Sequence, residues 1–317
     1  MIVFINPDDF IPASEPKVVN SPSLNLRQPK MIRKPMNVSA LVQLFRQELI
    51  GIYPQREVEQ IIALVFEDVL KYSRVDIVMH SDEVPDDHIL AAMQSVLERL
   101  KNNEPVQYVL GRTVFYGLPF TVNRDVLIPR QETEELIHWI LKDDLPDLPT
   151  IIDLGTGSGC IPIVLKDLRP SAIVYGADVS IDALNVAGQN ARMNGVDVEF
   201  FHFDILERSS LAFMKFDLMV SNPPYVRRSE QNLMEQNVLA FEPERALFVE
   251  DDDPLIFYRK IVDLAEGHLN KDGKLYFEIN EAFGSDLSQL MKDRGFSGVE
   301  LKKDFNGKDR MLRGVWG

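Results

Sequence analysis

The chain has 317 residues and a formal charge of −15, from 34 Lys+Arg against 49 Asp+Glu. With 45% apolar and 26% charged residues it lies near the globular average, which excludes a wholly disordered chain, a collagen-like fibre and a disulfide-stapled miniprotein. The acidity argues against a grip on bare nucleic acid, because that needs a surplus of basic side chains to displace phosphate counterions.

The one cysteine, Cys160, leaves no intramolecular disulfide and fits a reducing compartment. No apolar run approaches the roughly 18 residues of a membrane span. The opening Met1–Ile5 is too short for a signal-peptide core and runs at once into Asn6, Pro7, Asp8 and Asp9. The expectation is a cytoplasmic protein with no membrane partner.

Residues 1–37 carry Pro7, Pro12, Pro16, Pro22, Pro29 and Pro35 and no helical or strand period. Proline at that density blocks helix and sheet ladders, so an extended, weakly ordered arm is expected. Residues 38–103 read as a small helical bundle. After Pro54, favoured in a first helical turn, Val58, Ile61, Ile62, Val65, Phe66, Val69 and Leu70 form one apolar helical stripe. Leu41, Val42, Leu44, Phe45, Leu49 and Ile50 mark a helix before it. Ile89, Leu90, Met93, Val96, Leu97 and Leu100 mark one after it, opening at Asp86 or Asp87 as a cap.

Residues 104–130 read as a connector, with Phe115–Val122 as two short strands around a turn. Strands then alternate with helices through 131–317. Strand-like runs fall at 151–154, 173–177, 198–203, 216–220 and 275–279, and helical ones near 160–169, 181–193, 254–269 and 285–294. Alternation of this kind gives an α/β fold with a parallel sheet covered by helices on both faces. The tail breaks it: 298–303 and 310–316 flank Asn306-Gly307, so an antiparallel C-terminal hairpin is expected at one edge.

The first strand of this region runs into Gly155-Thr156-Gly157-Ser158-Gly159. Such a loop lets a ligand approach the backbone and meet the free amides of the following helix. The spacing is G-x-G-x-G, with Cys160 where a dinucleotide fold has its third glycine, and the G-K-[ST] ending of a P-loop is missing. The form resembles the loop of class I methyltransferases, which bind S-adenosyl-L-methionine. Asp178, at the tip of the second strand, is placed to accept hydrogen bonds from both ribose hydroxyls. In the methyltransferase reading Asp204 lies near the adenine amino group and Ile205 against its face.

The fourth strand ends in Asn222-Pro223-Pro224-Tyr225. Two prolines stop the ladder and stiffen the backbone, leaving carbonyls without a neighbouring N–H. Asn222 adds an acceptor and a donor, and Tyr225 a flat face. The set suits a planar NH2 group, bonded to the Asn222 side-chain oxygen and the Pro223 carbonyl, with Tyr225 on its plane. Holding that nitrogen in line with a methylsulfonium supplies much of the catalysis. Both the adenine exocyclic amine of a nucleic acid and the side-chain amide of a protein glutamine meet this description, and the motif alone does not separate them. A non-catalytic scaffold is disfavoured by the intact motif.

Taken together, the segments resemble the protein-(glutamine-N5) methyltransferases that modify peptide chain release factors, the PrmC/HemK family. The resemblance spans about residues 38–317. It rests on the helical bundle, Glu104-Pro105-Val106-Gln107-Tyr108-Val109-Leu110-Gly111, Phe115-Tyr116-Gly117-Leu118, Val126-Leu127-Ile128-Pro129-Arg130, Glu132-Thr133-Glu134, the glycine loop, Asn222–Tyr225, and Phe241-Glu242-Pro243 with Ala246-Leu247.

It implies a class I, Rossmann-like methyltransferase with a seven-stranded, mostly parallel sheet. The implied substrate is the glutamine in the Gly-Gly-Gln tip of release factors. Gly155–Gly159, Asp178, Ile205 and Asn222 would then line the cofactor site, and Asn222, Pro223, Pro224 and Tyr225 would hold the glutamine. The bundle would dock the release factor, and a monomer with no stable nucleic-acid partner is expected. One position departs from the family: Gln131 stands where a proline usually follows the arginine matched by Arg130. His80, His88, His138, His202 and His268 show no metal-ligand spacing, so no metal is expected.

Overall fold

The computed structural model describes residues 35–211 and 214–317. The expectation of an extended arm therefore lies, up to residue 34, outside the described residues. The bundle begins at helix α1 (Val38–Leu49), capped by the Asn37 side chain, which accepts from the Ala40 amide. It continues through α2 (Gln55–Leu70), α3 (Arg74–Met79) and α4 (Asp87–Lys101). Pro54 stands just before α2, and Asp86 is the cap of α4, accepting from the Ile89 amide at 2.8 Å. The apolar stripes meet as expected. Val38, Leu41, Phe45 and Leu49 bury with Val58, Ile61, Ile62, Val65, Phe66, Leu90, Met93, Leu97 and Leu100, and the Phe45 and Phe66 rings meet edge to face at 5.7 Å. Val69 and Leu70, at the end of the stripe, are only half-buried.

The connector is a short helix, α5 (Val106–Leu110), and a hairpin of β1 (Arg112–Phe115) and β2 (Leu118–Thr121). Buried Glu104 holds it to the bundle, accepting from Arg99 at 2.8 and 2.9 Å and from Arg124 at 3.1 Å. The Tyr108 hydroxyl donates to the Val126 carbonyl at 2.6 Å. Helix α6 (Gln131–Lys142), which the alternation does not mark, packs Leu136, Ile137, Trp139 and Ile140 into the core beside Phe115 and Phe120. Gln131 is its first residue. That position needs no intrahelical N–H and is where proline is tolerated best, so the backbone at Gln131 is one that could take the proline the resemblance leads one to expect.

The remaining elements in chain order are β3 (Thr150–Leu154), α7 (Cys160–Leu168), β4 (Ile173–Asp178), α8 (Ile181–Met193), β5 (Glu199–His202), β6 (Phe216–Ser221), β7 (Val226–Arg227), α9 (Gln236–Phe241), α10 (Glu244–Leu247), β8 (Phe248–Val249), α11 (Ile256–His268), β9 (Leu269–Glu278), α12 (Gly284–Asp293), β10 (Phe296–Lys303) and β11 (Asp309–Trp316). Among the described residues seven strands form the central sheet, in the order β10-β11-β9-β6-β3-β4-β5. The run from β5 to β9 is parallel; β11 is antiparallel to both its neighbours, β9 and β10, so β10 runs in the same direction as the parallel strands. The hairpin is thus where Asn306-Gly307 placed it, although its loop is longer than a two-residue turn. Asp304 shapes it by accepting from the Asn306 and Lys308 amides at 2.9 and 3.0 Å.

The chain leaves β3 toward β4 on one side and later returns to β6 on the other. Ligands of open α/β sheets bind at such a switch, outside the carboxyl ends of the strands. Two apolar clusters fill the faces. Tyr258, Phe277 and Leu312 lie in one, and Ile163, Leu218 and Tyr276 in the other.

Candidate active site

Register brings the two informative segments together. Leu154 of β3 pairs with Ser221 of β6, so Gly155 and Asn222 leave neighbouring strands side by side. The buried Ser221 hydroxyl locks this by donating to the Leu154 carbonyl at 2.6 Å. On the other flank Leu154 pairs with Ala177, and the Ala177 carbonyl accepts from the Gly155 and Thr156 amides at 2.8 and 3.0 Å.

Above these strand ends lies a cavity of about 1020 Å³, part of it open to solvent. Gly155, Thr156, Gly157, Ser158, Asp178, Asp204, Ile205, Asn222, Pro223 and Pro224 are all on its wall. Two of the residues singled out are not. Gly159 caps α7 with φ +78°, and a Cβ there would meet Ala187 and Ile163 at 3.0 Å, so close packing of α7 on α8 requires the glycine. Tyr225 is partly buried against the core, its hydroxyl donating to Glu278 at 3.2 Å. At Gly157, by contrast, φ is +53° and a Cβ would meet nothing within 4 Å. The backbone there is open to a ligand.

The electrostatics follow from burial. Asp178 accepts from the Gly157 amide at 2.9 Å and the Ser180 amide at 2.8 Å, which fixes its carboxylate beside the loop. Desolvation still carries its pKa above the usual carboxylate range, with those amides opposing the rise. Asp153, fully buried in β3, is pushed up to about 7 by desolvation; the Thr156 hydroxyl opposes this and the Asp178 charge adds to it. Neither Asp153 oxygen, nor the Thr156 hydroxyl on the cavity wall, has a hydrogen-bond partner of proper geometry among the described residues. One Asp204 oxygen accepts from the Leu206 amide at 2.8 Å, an exposed local bond. Cys160 is buried and its thiol is pushed up to about 12 by desolvation, as befits a packing residue.

Several wall residues have no role in the sequence reading, among them Phe203, Arg245, Phe257 and Thr133, which enters it only within the motif Glu132-Thr133-Glu134. Behind the wall stands Glu278, fully buried at the end of β9. It accepts from the Thr133 hydroxyl at 2.7 Å, and Thr133 in turn faces the Asn222 amide nitrogen at 3.4 Å. Burial raises the Glu278 pKa, while Thr133, Arg310 and Tyr225 hold it back. A lone acid inside the apolar run Leu275–Ile279 is the available signal. The segment around Phe241-Glu242-Pro243 closes the rim. Buried Glu242 accepts from Arg130 at 2.5 Å and from the Ile128 amide at 3.4 Å, which joins two distant motifs. His268 is structural: its ring nitrogens lie 2.8 Å from the Met214 carbonyl and 3.0 Å from the Leu211 amide. Among the described residues no cluster of three or more His, Cys, Asp or Glu could hold a metal, and no helix is long and apolar enough to cross a membrane.

The cavity suits an adenosyl sulfonium cofactor. It offers an acidic residue and open backbone at the loop, apolar Phe203, Ile205 and Phe257, and a Thr156 hydroxyl awaiting a partner. The catalytic domain of hMettl16, solved in complex with a MAT2A 3′UTR hairpin, shares this fold with a TM-score of 0.52 at 15% identity, over 74% of this chain and 84% of its own. A family model described as Methyltransferase small domain matches residues 134–247. Fold and site thus define an S-adenosyl-L-methionine-dependent methyltransferase.

The rest of the chain narrows the class. A second family model, PrmC N-terminal domain, matches residues 41–111. The Release factor glutamine methyltransferase of Flavobacterium psychrophilum is 45% identical over 85% of this chain and 95% of its own length. That of Bacteroides thetaiotaomicron is 42% identical over 84% and 96%. The chain belongs to the release factor glutamine methyltransferase (PrmC/HemK) family.

Proposed function

We propose that this enzyme transfers a methyl group from S-adenosyl-L-methionine to the side-chain amide nitrogen of the glutamine in the Gly-Gly-Gln motif of peptide chain release factors. One observation carries the reading. The Asn222–Pro224 wall abuts the glycine loop in a single cavity, in a chain whose relatives over nearly their whole length bear that name.

Gly155, Thr156, Gly157 and Ser158, with Asp178, Asp204 and Ile205, hold the cofactor, and Gly159 shapes the turn beneath it. The bound cofactor supplies an electrophilic methyl on a positively charged sulfur. Asn222 and the Pro223 carbonyl take the two N–H groups of the glutamine amide, Pro224 confines its plane, and Tyr225, off the cavity wall, braces the segment from behind through Glu278. The held amide nitrogen would accept the cofactor's methyl, the electron pair of the broken carbon–sulfur bond would stay with the departing thioether, and the proton made acidic by methylation would pass to solvent. No prior deprotonation is needed, so orientation is the principal task of these residues. The bundle of residues 38–103 serves as the docking platform for the release factor, joined through the connector 104–130 to the methyltransferase domain 131–317. The single cysteine supports a cytoplasmic enzyme and the acidic charge one without a stable nucleic-acid partner; the proposal takes it as a monomer.

The test is mass spectrometry of a release factor after incubation with the enzyme and cofactor, with an adenine-containing DNA and RNA offered in parallel. A single methyl on the Gly-Gly-Gln glutamine is expected. Transfer only to nucleic acid, as an adenine-N6 enzyme would give, would overturn the proposal.

A further inference from the structure

Asn222 holds a substrate amide only if its oxygen, not its NH2, faces the cavity. A carboxamide is nearly symmetric in shape, so something must fix which end points outward. The answer lies in a row of polar atoms running from the cavity wall into the core: Asn222, Thr133, Glu278.

Glu278 ends β9 with its side chain buried, and two hydroxyls converge on it, Thr133 at 2.7 Å and Tyr225 at 3.2 Å. Arg310, whose guanidinium donates to the adjacent Ile279 carbonyl at 3.1 Å, favours the charged form. Desolvation raises the Glu278 pKa against these three partners; the two converging hydroxyls can both donate only to a carboxylate, and an ionised carboxylate only accepts, so the single Thr133 proton is committed to it. The Thr133 oxygen is then left as an acceptor, and it is the atom that Asn222 meets at 3.4 Å. Asn222 therefore turns its NH2 inward, and its oxygen is the end that remains for the cavity. The opposite orientation would set oxygen against oxygen inside the wall and offer a donor to an incoming donor.

We propose that Thr133 and Glu278 are positioning residues that fix the carboxamide of Asn222 with its oxygen toward the substrate. This deepens, and rests on, the reading of Asn222 as the residue that holds the glutamine amide. Thr133 is reached from α6 and Glu278 from β9, so the orientation of the pocket is set by elements outside the Asn-Pro-Pro-Tyr segment itself. The Tyr225 hydroxyl shares the same carboxylate, which ties both ends of that segment to one buried charge.

The experiment uses the full-length, 15N-labelled enzyme and the variants Thr133→Val and Thr133→Ser. The Asn222 side-chain NH2 resonance, assigned by its loss in Asn222→Ala, reports the orientation without any methyl acceptor. Thr133→Val is expected to shift that resonance and to lower kcat about 10–100-fold, the range for losing a positioned hydrogen-bonding group. The cofactor Kd should stay within about twofold and the melting temperature within a few degrees. Thr133→Ser should restore resonance and kcat. An unmoved resonance in folded Thr133→Val overturns the proposal whatever the kcat. So does a parallel loss of kcat, cofactor affinity and melting temperature, the mark of a merely structural residue. If the valine variant does not fold, Glu278→Gln, which sets an amide donor against one of the two hydroxyls, is read by the same resonance and the same criteria. Because the resonance needs no substrate, a wild-type enzyme inactive on release factors would sink the substrate reading, while the orientation of Asn222 would still be decided by the resonance alone.

Discussion

The helical bundle and the carboxyl end of the sheet are built on opposite rules. In the bundle, Val38, Leu41, Phe45, Val65, Phe66, Met93 and Leu100 are all but fully buried, and the polar atoms sit at helix ends with partners. At the strand tips, the Asp153 oxygens and the Thr156 hydroxyl are buried without partners, and three acids, Asp153, Asp178 and Glu278, are shifted upward by desolvation. Buried polar groups left in that state cost stability. In the bundle the one such atom among the described residues, Asp68 Oδ1, lies beside the Arg112 guanidinium, whereas those at the strand tips lie on or beside the cavity wall. Under the proposed function, one region supplies stability and a docking surface and the other supplies the chemistry.

The sharpest way to break this contrast is to damage each region and ask whether the other notices. Phe66→Ala removes a fully buried ring that meets Phe45 edge to face. It should cost about 3–5 kcal/mol of stability in denaturant unfolding and leave cofactor affinity of the folded fraction unchanged. Next in size, Asn222→Ala should lower turnover roughly 10²-fold, about 2.7 kcal/mol in the barrier, while the unfolding midpoint barely moves. Near-normal turnover in folded Asn222→Ala would end its assigned role. A bundle mutant that loses cofactor binding in step with its stability would show that the two regions are not separable.

The seam between them is tested by Arg130→Ala. It strands the Glu242 carboxylate, whose side chain is 1% exposed, whereas the arginine is 37% exposed and partly screened. A loss of about 2 kcal/mol is expected, below the 3–5 typical of a fully buried pair. Equilibrium unfolding measures it, and a loss within experimental error would mean that water satisfies Glu242.

The two regions are also legible to different degrees. The three longer helices of the bundle can be read from helical period, because their energetics are those of apolar burial; of the two candidate caps Asp86 and Asp87 the structure uses Asp86, and the short α3, which buries no residue, carries no such period. The strand–helix alternation from 150 onward marks the sheet, and Asn306-Gly307 its edge hairpin, because turn chemistry is local. Helix α6 escapes because its start, Arg130-Gln131-Glu132, carries no side-chain cap. Its stripe of Leu136, Ile137 and Ile140 is the signal that remains. At the site, the glycine loop and Asn222–Pro224 are legible since each is contiguous in sequence. Thr133 and Glu278 are not, since what joins them is a hydrogen bond across 145 positions. Gly159 and Gly157 look alike in the sequence, and only the packing of α7 on α8 shows that one faces a helix and the other a cavity.

The effect spread over the widest pH range is the most specific to the strand tips. Asp153 has a folded-state pKa of about 7, raised by desolvation, against an ordinary value of 3.8. Between those values the native state holds a proton that the unfolded chain has released. The stabilisation from that proton is complete below about pH 4 and is lost as pH climbs toward 7. Its slope is at most about 1.4 kcal/mol per pH unit, set against the opposite trend of paired acids such as Glu104 and Asp143, whose pKa values are lowered. Asp153→Asn, which cannot titrate, should therefore flatten the fall in stability between pH 4 and 7 relative to the wild type, with the two curves compared by urea unfolding at each pH. Identical slopes would mean that Asp153 is charged throughout. In that case the unpartnered oxygens would have to be met by water, and the strand tip would be wetter than its burial implies.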